Sequence, residues 1–252
     1  MKNQELINEP DRVDVIGVPI SAVNLKIAID FLYENLDKIR GKYICASNAH
    51  TCVLAHDDSE YLKVQSESVL SLPDGKPLAI AGKKKGHHEM EKTTGLHFMQ
   101  EVFSDNRFKD CKHYFYGNTQ DNLEIMINNI KNNYPNVNIC GFEPSIFREL
   151  DDNDLNKFIN NINQSHADFV WIGIGAPIQE KLMNRLLNKT NTIMTGVGGA
   201  FNILAGKVND APDWMQKSGL EWFYRLIKDP KRLFKRYLVT NSKFIWYSWR
   251  GK

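Results

Sequence analysis

Asp74 is the first side chain in this sequence that could do chemistry. It lies in Leu72-Pro73-Asp74-Gly75, directly after the apolar run Val69–Leu72. Proline presets such a turn and glycine lets another group approach closely, so a carboxylate is held at a strand end. It is either a general base there or an ordinary turn residue and helix cap ahead of Lys76. Asn48, after the run Tyr43–Ala46, carries the same pair of readings: a contact to a sugar hydroxyl, or a cap on the helix that starts at Ala49.

Two glycine turns offer backbone N–H groups to an anion. Gly173-Ile174-Gly175-Ala176-Pro177 follows one apolar run, and Gly196-Val197-Gly198-Gly199-Ala200-Phe201 follows the next. Turns of this kind at helix starts suit phosphate or the hydroxyls of a sugar nucleotide. Neither contains the G-x-G-x-x-G fingerprint of a dinucleotide site.

Metal ligands are less evident. His50, His56, Asp57 and Asp58 lie close together and His87-His88 are adjacent, but none matches a zinc spacing. Asp151-Asp152-Asn153-Asp154 reads as an acidic helix start, since an amphipathic pattern begins at Leu155. No metal site and no cofactor are therefore expected.

The C-terminal end has its own character. From Trp222 onward there are nine Lys/Arg against one acid, a local net charge of +8 in a chain whose total is +2. The same segment holds nine of the 27 aromatic residues. Cations interleaved with Trp, Tyr and Phe suit an anionic membrane interface or nucleic acid. After Asp229-Pro230, a cap and first helical residue, Leu233, Phe234, Tyr237 and Leu238 form an apolar stripe flanked by Lys231, Arg232, Lys235 and Arg236.

These residues need a scaffold. The 252-residue chain has 42% hydrophobic and 25% charged residues, an ordinary enzyme-like composition. It has no run approaching the roughly 18 apolar residues of a membrane span. The polar first residues show no secretory h-region, and the four scattered cysteines read as reduced thiols. A strand and turn is expected over 13–20 and a helix over 22–39. Strands over 43–46, 69–72, 113–116, 138–142, 169–174 and 192–197 then alternate with helical segments. That alternation predicts a Rossmann-like, mostly parallel α/β sheet with helices on both faces. Ligands bind at the carboxyl ends of such strands. The expected division is a catalytic core over residues 1–205 and a basic amphipathic appendage over 206–252.

Four segments together are similar to the WecG/TagA/CpsF glycosyltransferases: SNAHTCVLAHDD from Ser47, LPDGKPL from Leu72, GIGAPIQE from Gly173 and GVGGAFNILAGKVNDAPDWMQKSGLEWFYRL from Gly196. The chain departs from the usual family pattern at Ala46, Lys92 and Asn202. The resemblance implies a metal-independent, inverting hexosyl transfer from a UDP-sugar to an undecaprenyl-pyrophosphate-linked saccharide. The setting is capsule, exopolysaccharide or cell-wall polymer assembly, one form being the N-acetylmannosaminyl step of teichoic acid linkage-unit synthesis. It implies Asp74 as catalytic base and Asn48, Gln179, Arg225, Arg232 and Lys235 as substrate-binding residues. It makes Gly173, Gly175, Gly196, Gly198 and Gly199 the nucleotide-side glycines. The expected partners are the UDP-sugar, the lipid-linked acceptor and an anionic membrane surface, with no nucleic acid and with room for a homo-oligomer. The expected place is the cytoplasm, peripherally on the inner face of the membrane. A nucleotide-dependent oxidoreductase is the competing enzyme reading. A module that only binds anionic surfaces or nucleic acid is the non-enzymatic one.

Overall fold

Ile16 and Gly17 both take left-handed backbone, with φ of 51° and 86°. That geometry suits the twist of a tight hairpin, so the stretch expected as a strand and a turn becomes two strands. Strand β1 (Arg12–Val15) pairs antiparallel with β2 (Val18–Ser21) as a small sheet of its own. The computed structural model describes residues 7–250 apart from Phe147, without the side chains of Asp213, Lys217 and Arg232. The first helix is shorter than the 22–39 pattern. Helix α1 (Leu25–Glu34) starts only after Asn24, whose side chain accepts from Ile27 N–H, and ends at Asn35. Caps override apolar periodicity at both ends.

The chain then runs through β3 (Tyr43–Ser47), α2 (Ala49–Asp57), α3 (Ser59–Ser66), β4 (Leu70–Pro73), α4 (Lys76–Lys84) and α5 (Gly95–Ser104). The second half alternates cleanly: β5 (Lys112–Gly117), α6 (Gln120–Asn133), β6 (Asn138–Glu143), α7 (Asp152–Ser165), β7 (Phe169–Gly173), α8 (Ile178–Leu186) and β8 (Ile193–Gly196). Four helices follow: α9 (Ala200–Leu204), α10 (Asp213–Ser218), α11 (Glu221–Lys228) and α12 (Pro230–Arg250). Polar caps set several of the starts, with Asn48, Asp58, Thr94, Thr119 and Asp151 accepting first-turn N–H groups of α2, α3, α5, α6 and α7.

Strands β3 to β8 form one six-stranded sheet in the order β4-β3-β8-β7-β5-β6, every neighbouring pair parallel. Alternate residues serve opposite faces, as the pleat requires. Ile44, Phe169, Trp171 and Ile193 join one core with α1, α5 and α6. Tyr43, Val170, Ile172 and Met194 join another with α7 and α8. A third core lies between the hairpin, α2, α3 and α4, and Phe244 of α12 is buried in it. The C-terminal helix thus packs mainly on α2, with Phe244 set into this third core.

Because all six strands run the same way, they end together on one edge. Two neighbouring strands leave that edge toward opposite faces. After β3 the chain runs through α2 to α3, which packs with α8, whereas after β8 it enters α9, which packs with α6 on the other face. The crevice between β3 and β8 is therefore open to a ligand. Gly95, the first residue of α5, fits into its floor, where an added Cβ would lie 3.3 Å from both Ala46 Cβ and Val197 Cα.

The end of β7 packs against α9 just as tightly. A Cβ on Gly173 would lie 2.5 Å from the Phe201 ring, and Phe201 is buried. Gly173→Ala should destabilise the fold by about 1–3 kcal/mol through overpacking. Urea unfolding should show a lower midpoint with an unchanged m-value; wild-type stability would mean that Phe201 can step aside.

Candidate active site

Asp74 follows the last residue of β4 and faces the crevice. Its N–H donates to Ser47 O at 2.7 Å, tying the turn to the end of β3. Gly75 then takes φ of 151°, a conformation that side chains avoid. The next strap comes from the 90s loop, where Thr93 N–H donates to Pro73 O at 3.0 Å. The Gly95 N–H at the start of α5 donates to the Asp74 carboxylate. The charged form thus receives a helix N-terminus.

Asp74 is half-buried in surface terms, but the protein around the carboxyl removes most of its hydration. Burial is the largest influence and pushes the pKa up to about 6; Arg225 and Lys92 pull it down, and Glu221 adds to the rise. Lys92 and Glu221 are themselves ion-paired. Arg225 and Glu221 both lie on α11, so the first turns of that helix are close enough for their charges to act on the carboxylate. A carboxylate with such a pKa is ionised at neutral pH and basic enough to take a proton.

Asn48 lies beside this turn, its Cβ 3.9 Å from where a Cβ on Gly75 would be. Its Oδ1 accepts from His50 N–H and Thr51 N–H, and Thr51 completes the capping box. The capping reading of Asn48 therefore accounts for its oxygen, with only the amide NH₂ left for another contact. His50 is not a ligand candidate. Its Nδ1 is 3.2 Å from Thr240 Oγ1 of α12, and burial with the nearby Arg236 charge pushes its pKa down to about 4. His56 stacks on Tyr247, and Asp57 binds Lys243 and Tyr247. These residues fasten α12 to α2.

The two glycine turns stand across the crevice. Gly173 and Gly196 are inside β7 and β8 and are needed for packing, against Phe201 and against Gln179 with Met183 respectively. Gly175 and Gly198 have positive φ, of 90° and 49°, and an added Cβ would meet open space at Gly175 and at Gly199. Gln179 is buried and does not project into the crevice. Its Oε1 accepts from Gly175 N–H at 3.0 Å and from Gly198 N–H at 3.1 Å, so it joins the turns to each other.

Among the basic candidates, Arg225 is brought to Asp74. Lys235 is an exposed cation on α12. Arg232 is on the same helix, its side chain outside the described residues. The acidic cluster is a helix start, Asp151 and Asp154 forming a capping box with Arg148 paired to both.

A family model, described as the glycosyl transferase WecG/TagA/CpsF family, matches residues 13–252. The chain belongs to that family. It is a glycosyltransferase, a hexosyltransferase by its relatives. A Bacillus subtilis protein is 29% identical over 224 residues, covering 88% of this chain and 85% of the relative. A Bacillus spizizenii protein is 25% identical, covering 83% and 79%. A Staphylococcus aureus protein is 23% identical, covering 88% and 87%. All three are named N-acetylglucosaminyldiphosphoundecaprenol N-acetyl-beta-D-mannosaminyltransferases.

Sequence reading did not single out Lys92, Glu221 or Gly95 as neighbours of Asp74. Thr94 before an apolar helical pattern does signal the start of α5. That this start, or α11, meets Asp74 is a tertiary fact with no local signature.

The raised pKa has a consequence for stability. A carboxyl whose folded pKa lies above its unfolded value of 3.8 favours the folded state below pH 3.8 and loses that contribution as pH rises through about 6. Asp74→Asn should therefore melt no lower than wild type at pH 8, its relative gain appearing between pH 4 and 6. Thermal melts across pH 4–8 read this directly; a mutant less stable at pH 8 than at pH 4, relative to wild type, would contradict a raised pKa.

Proposed function

We propose that this glycosyltransferase moves N-acetylmannosamine from a UDP donor to N-acetylglucosaminyl-diphospho-undecaprenol, as in the linkage unit of teichoic acid. The donor and acceptor follow from the resemblance and from the names of the three relatives. The observation that carries the catalytic part is the Asp74 carboxylate on the carboxyl edge of the sheet, tied to the end of β3 and to the start of α5, with its pKa pushed up to about 6 by burial and drawn down by the charges of Arg225 and Lys92.

The acceptor hydroxyl attacks the anomeric carbon of the donor as its proton passes to Asp74. The bond from that carbon to the diphosphate oxygen breaks, and UDP leaves with its electron pair. One displacement at one face inverts the anomeric centre. The negative charge growing on the diphosphate needs cations or N–H donors. Arg225, Arg232 and Lys235, with the open turns at Gly175 and Gly199, are the groups assigned to it. Asn48 offers its free amide hydrogens to a sugar oxygen. Gln179 acts on the donor side through the turns it joins.

The C-terminal helices are assigned a second role at the membrane. No helix among the described residues is long and apolar enough to cross one. On α12, Leu233, Thr240 and Phe244 face the protein, whereas Phe234, Leu238, Ile245 and Trp249 are 60–73% exposed. The single stripe expected from sequence is therefore split between two faces. Ile227 of α11 and Trp214 of α10 are also exposed, and Arg225, Lys228, Lys231 and Lys235 are interspersed among them. Cations near an anionic leaflet contribute about 1 kcal/mol each, and each apolar side chain buried in the interface contributes roughly 1.5–3 kcal/mol. Together these favour peripheral docking on the inner leaflet.

Purified enzyme given UDP-N-acetylmannosamine and a short-chain analogue of the acceptor should yield a product heavier by one N-acetylhexosamine, with or without excess EDTA. Faster transfer of another hexosyl donor would replace the sugar assignment, and restoration of chelated enzyme by Mg²⁺ or Mn²⁺ would overturn metal independence. Asp74→Asn should lower turnover on the order of 100- to 10,000-fold, and the wild-type kcat/KM should fall on the acid side with a midpoint near pH 6. A stable Asp74→Asn protein with normal turnover removes Asp74 from the mechanism. In a separate assay, Phe234→Ser/Leu238→Ser/Ile245→Ser should cut sedimentation with phosphatidylglycerol vesicles at least tenfold; equal sedimentation would assign the exposed face to something other than lipid.

A further inference from the structure

Glu180 has no place in the chemistry just described, yet it is fully buried beside the crevice. It lies in the first turn of α8 and has no Lys, Arg or His partner among the described residues. Its company is polar but neutral: Gln179 Nε2 donates to its Oε1 at 2.8 Å and Tyr61 Oη donates to its Oε2 at 3.1 Å. Burying a carboxyl on such terms is costly, and burial indeed pushes its pKa up against those donors. An apolar residue of similar volume would be cheaper if the site had only to be filled.

The geometry of Gln179 shows what the carboxyl does. An amide presents an oxygen on one side and NH₂ on the other. In Gln179 the oxygen must face Gly175 and Gly198, since both present N–H groups to it. The NH₂ must then point the opposite way, into the protein. Glu180 supplies an acceptor at that point. Without it the amide hydrogens would be buried and unpaired, at a cost of roughly 1–3 kcal/mol. Gln179 would do better to turn away, and the two glycine turns would lose their common acceptor.

The chain of bonds continues beyond Glu180. Gln65 Nε2 donates to Tyr61 Oη at 2.9 Å, Ser47 Oγ donates to Gln65 Oε1 at 2.7 Å, and Ser47 and Ser71 hydroxyls are 2.8 Å apart. All of these side chains are buried. Ser47 is also the residue whose carbonyl receives Asp74 N–H. One buried hydrogen-bonded path therefore joins the glycine turns at the ends of β7 and β8 to the turn that carries Asp74 at the end of β4.

We infer that Glu180 is a positioning residue: by fixing the amide of Gln179 it locks the Gly175 and Gly198 turns together for the diphosphate-bearing donor, in register with Asp74. The assignment of the turns to the donor rests on the proposed function; the locking itself does not.

The test uses the full-length protein with Glu180→Leu, Glu180→Gln and Tyr61→Phe, read by backbone amide exchange and by UDP titration calorimetry. In wild type the Gly175 and Gly198 amides should exchange slowly. Glu180→Leu should speed exchange at Gly175 by about 10- to 100-fold, the equivalent of one lost buried hydrogen bond, and at Gly198 by less, since that N–H also reaches Ile172 O at 3.3 Å, while amides in Phe169–Ile172 keep their protection. Glu180→Gln, which retains an acceptor for Gln179, should restore slow exchange. Tyr61→Phe, which leaves the Gln179–Glu180 contact in place, should stay within about twofold of wild type at the turns. UDP should bind Glu180→Leu at least tenfold more weakly than wild type. Unchanged turn exchange in Glu180→Leu, or equal loosening throughout the sheet, would overturn the inference. So would looser turns with undiminished UDP affinity. A wild-type protein that does not bind UDP would instead sink the donor assignment, and the exchange data would still decide the locking.

Discussion

Parallel pairing of β3 with β8 is the constraint from which the rest of this site follows. It brings together two halves of the chain that are more than a hundred residues apart, with Cys45 opposite Gly196 at the end of the ladder. On one side of that seam lie the turns carrying Asn48 and Asp74. On the other lie the glycine turns. Neither half brings both the Asp74 carboxylate and an open glycine turn to the crevice. The seam sets the distance between them, and the small residues Ala46 and Gly95 let α5 descend far enough to place its first N–H on Asp74. Two opposed electrical effects then meet at one carboxyl. Loss of hydration raises its pKa, and a helix terminus with two nearby cations holds it down. The result is a base near neutrality instead of a permanently protonated acid.

The same economy of polar groups appears around Gln179. Its two N–H partners belong to different strand ends, so a single side chain does work that a longer loop would otherwise have to do. Buried polar networks of this kind cost stability if any member is unpaired and confer a defined geometry when all are paired. Here the pairing is continuous from Gly175 to Ser71. The family pattern around GIGAPIQE therefore reads as structural support for a site as much as the site itself.

Much of this was legible in the sequence, for reasons that can be named. The strands of the second half are short apolar runs separated by capped helices, and both signals are local. Asp74 stood out because Pro and Gly flank it, and that turn chemistry is local as well. Asn24 and Asn35 shortened α1 because capping groups compete with apolar periodicity, which alone extends the helix too far. Gln179 shows the other limit. The sequence marks it as polar at a helix start, but only the fold decides that its oxygen is consumed by two glycines. Lys92, Glu221 and Arg225 meet Asp74 from segments distant in sequence, and no spacing rule connects them. On α12, counting apolar positions revealed a stripe but not that Leu233 would be buried while Phe234 and Leu238 stay exposed.

That divided helix has a further consequence. Its inward residues Leu233, Thr240 and Phe244 alternate with outward Phe234, Leu238 and Ile245 at offsets of a few positions, and basic residues fill the intervals. Each residue advances an α-helix by about 100°. One residue inserted or deleted after Asp229 would therefore turn everything beyond it by more than a quarter circle. Lys243 or Ile245 would be swung toward the place of Phe244, and the outward face would lose its continuity. The segment can drift in side-chain identity, since one hydrophobe replaces another at modest cost. It cannot drift in length. Among sequences descended from this one, gaps should be rare between Asp229 and Tyr247 even where few residues match.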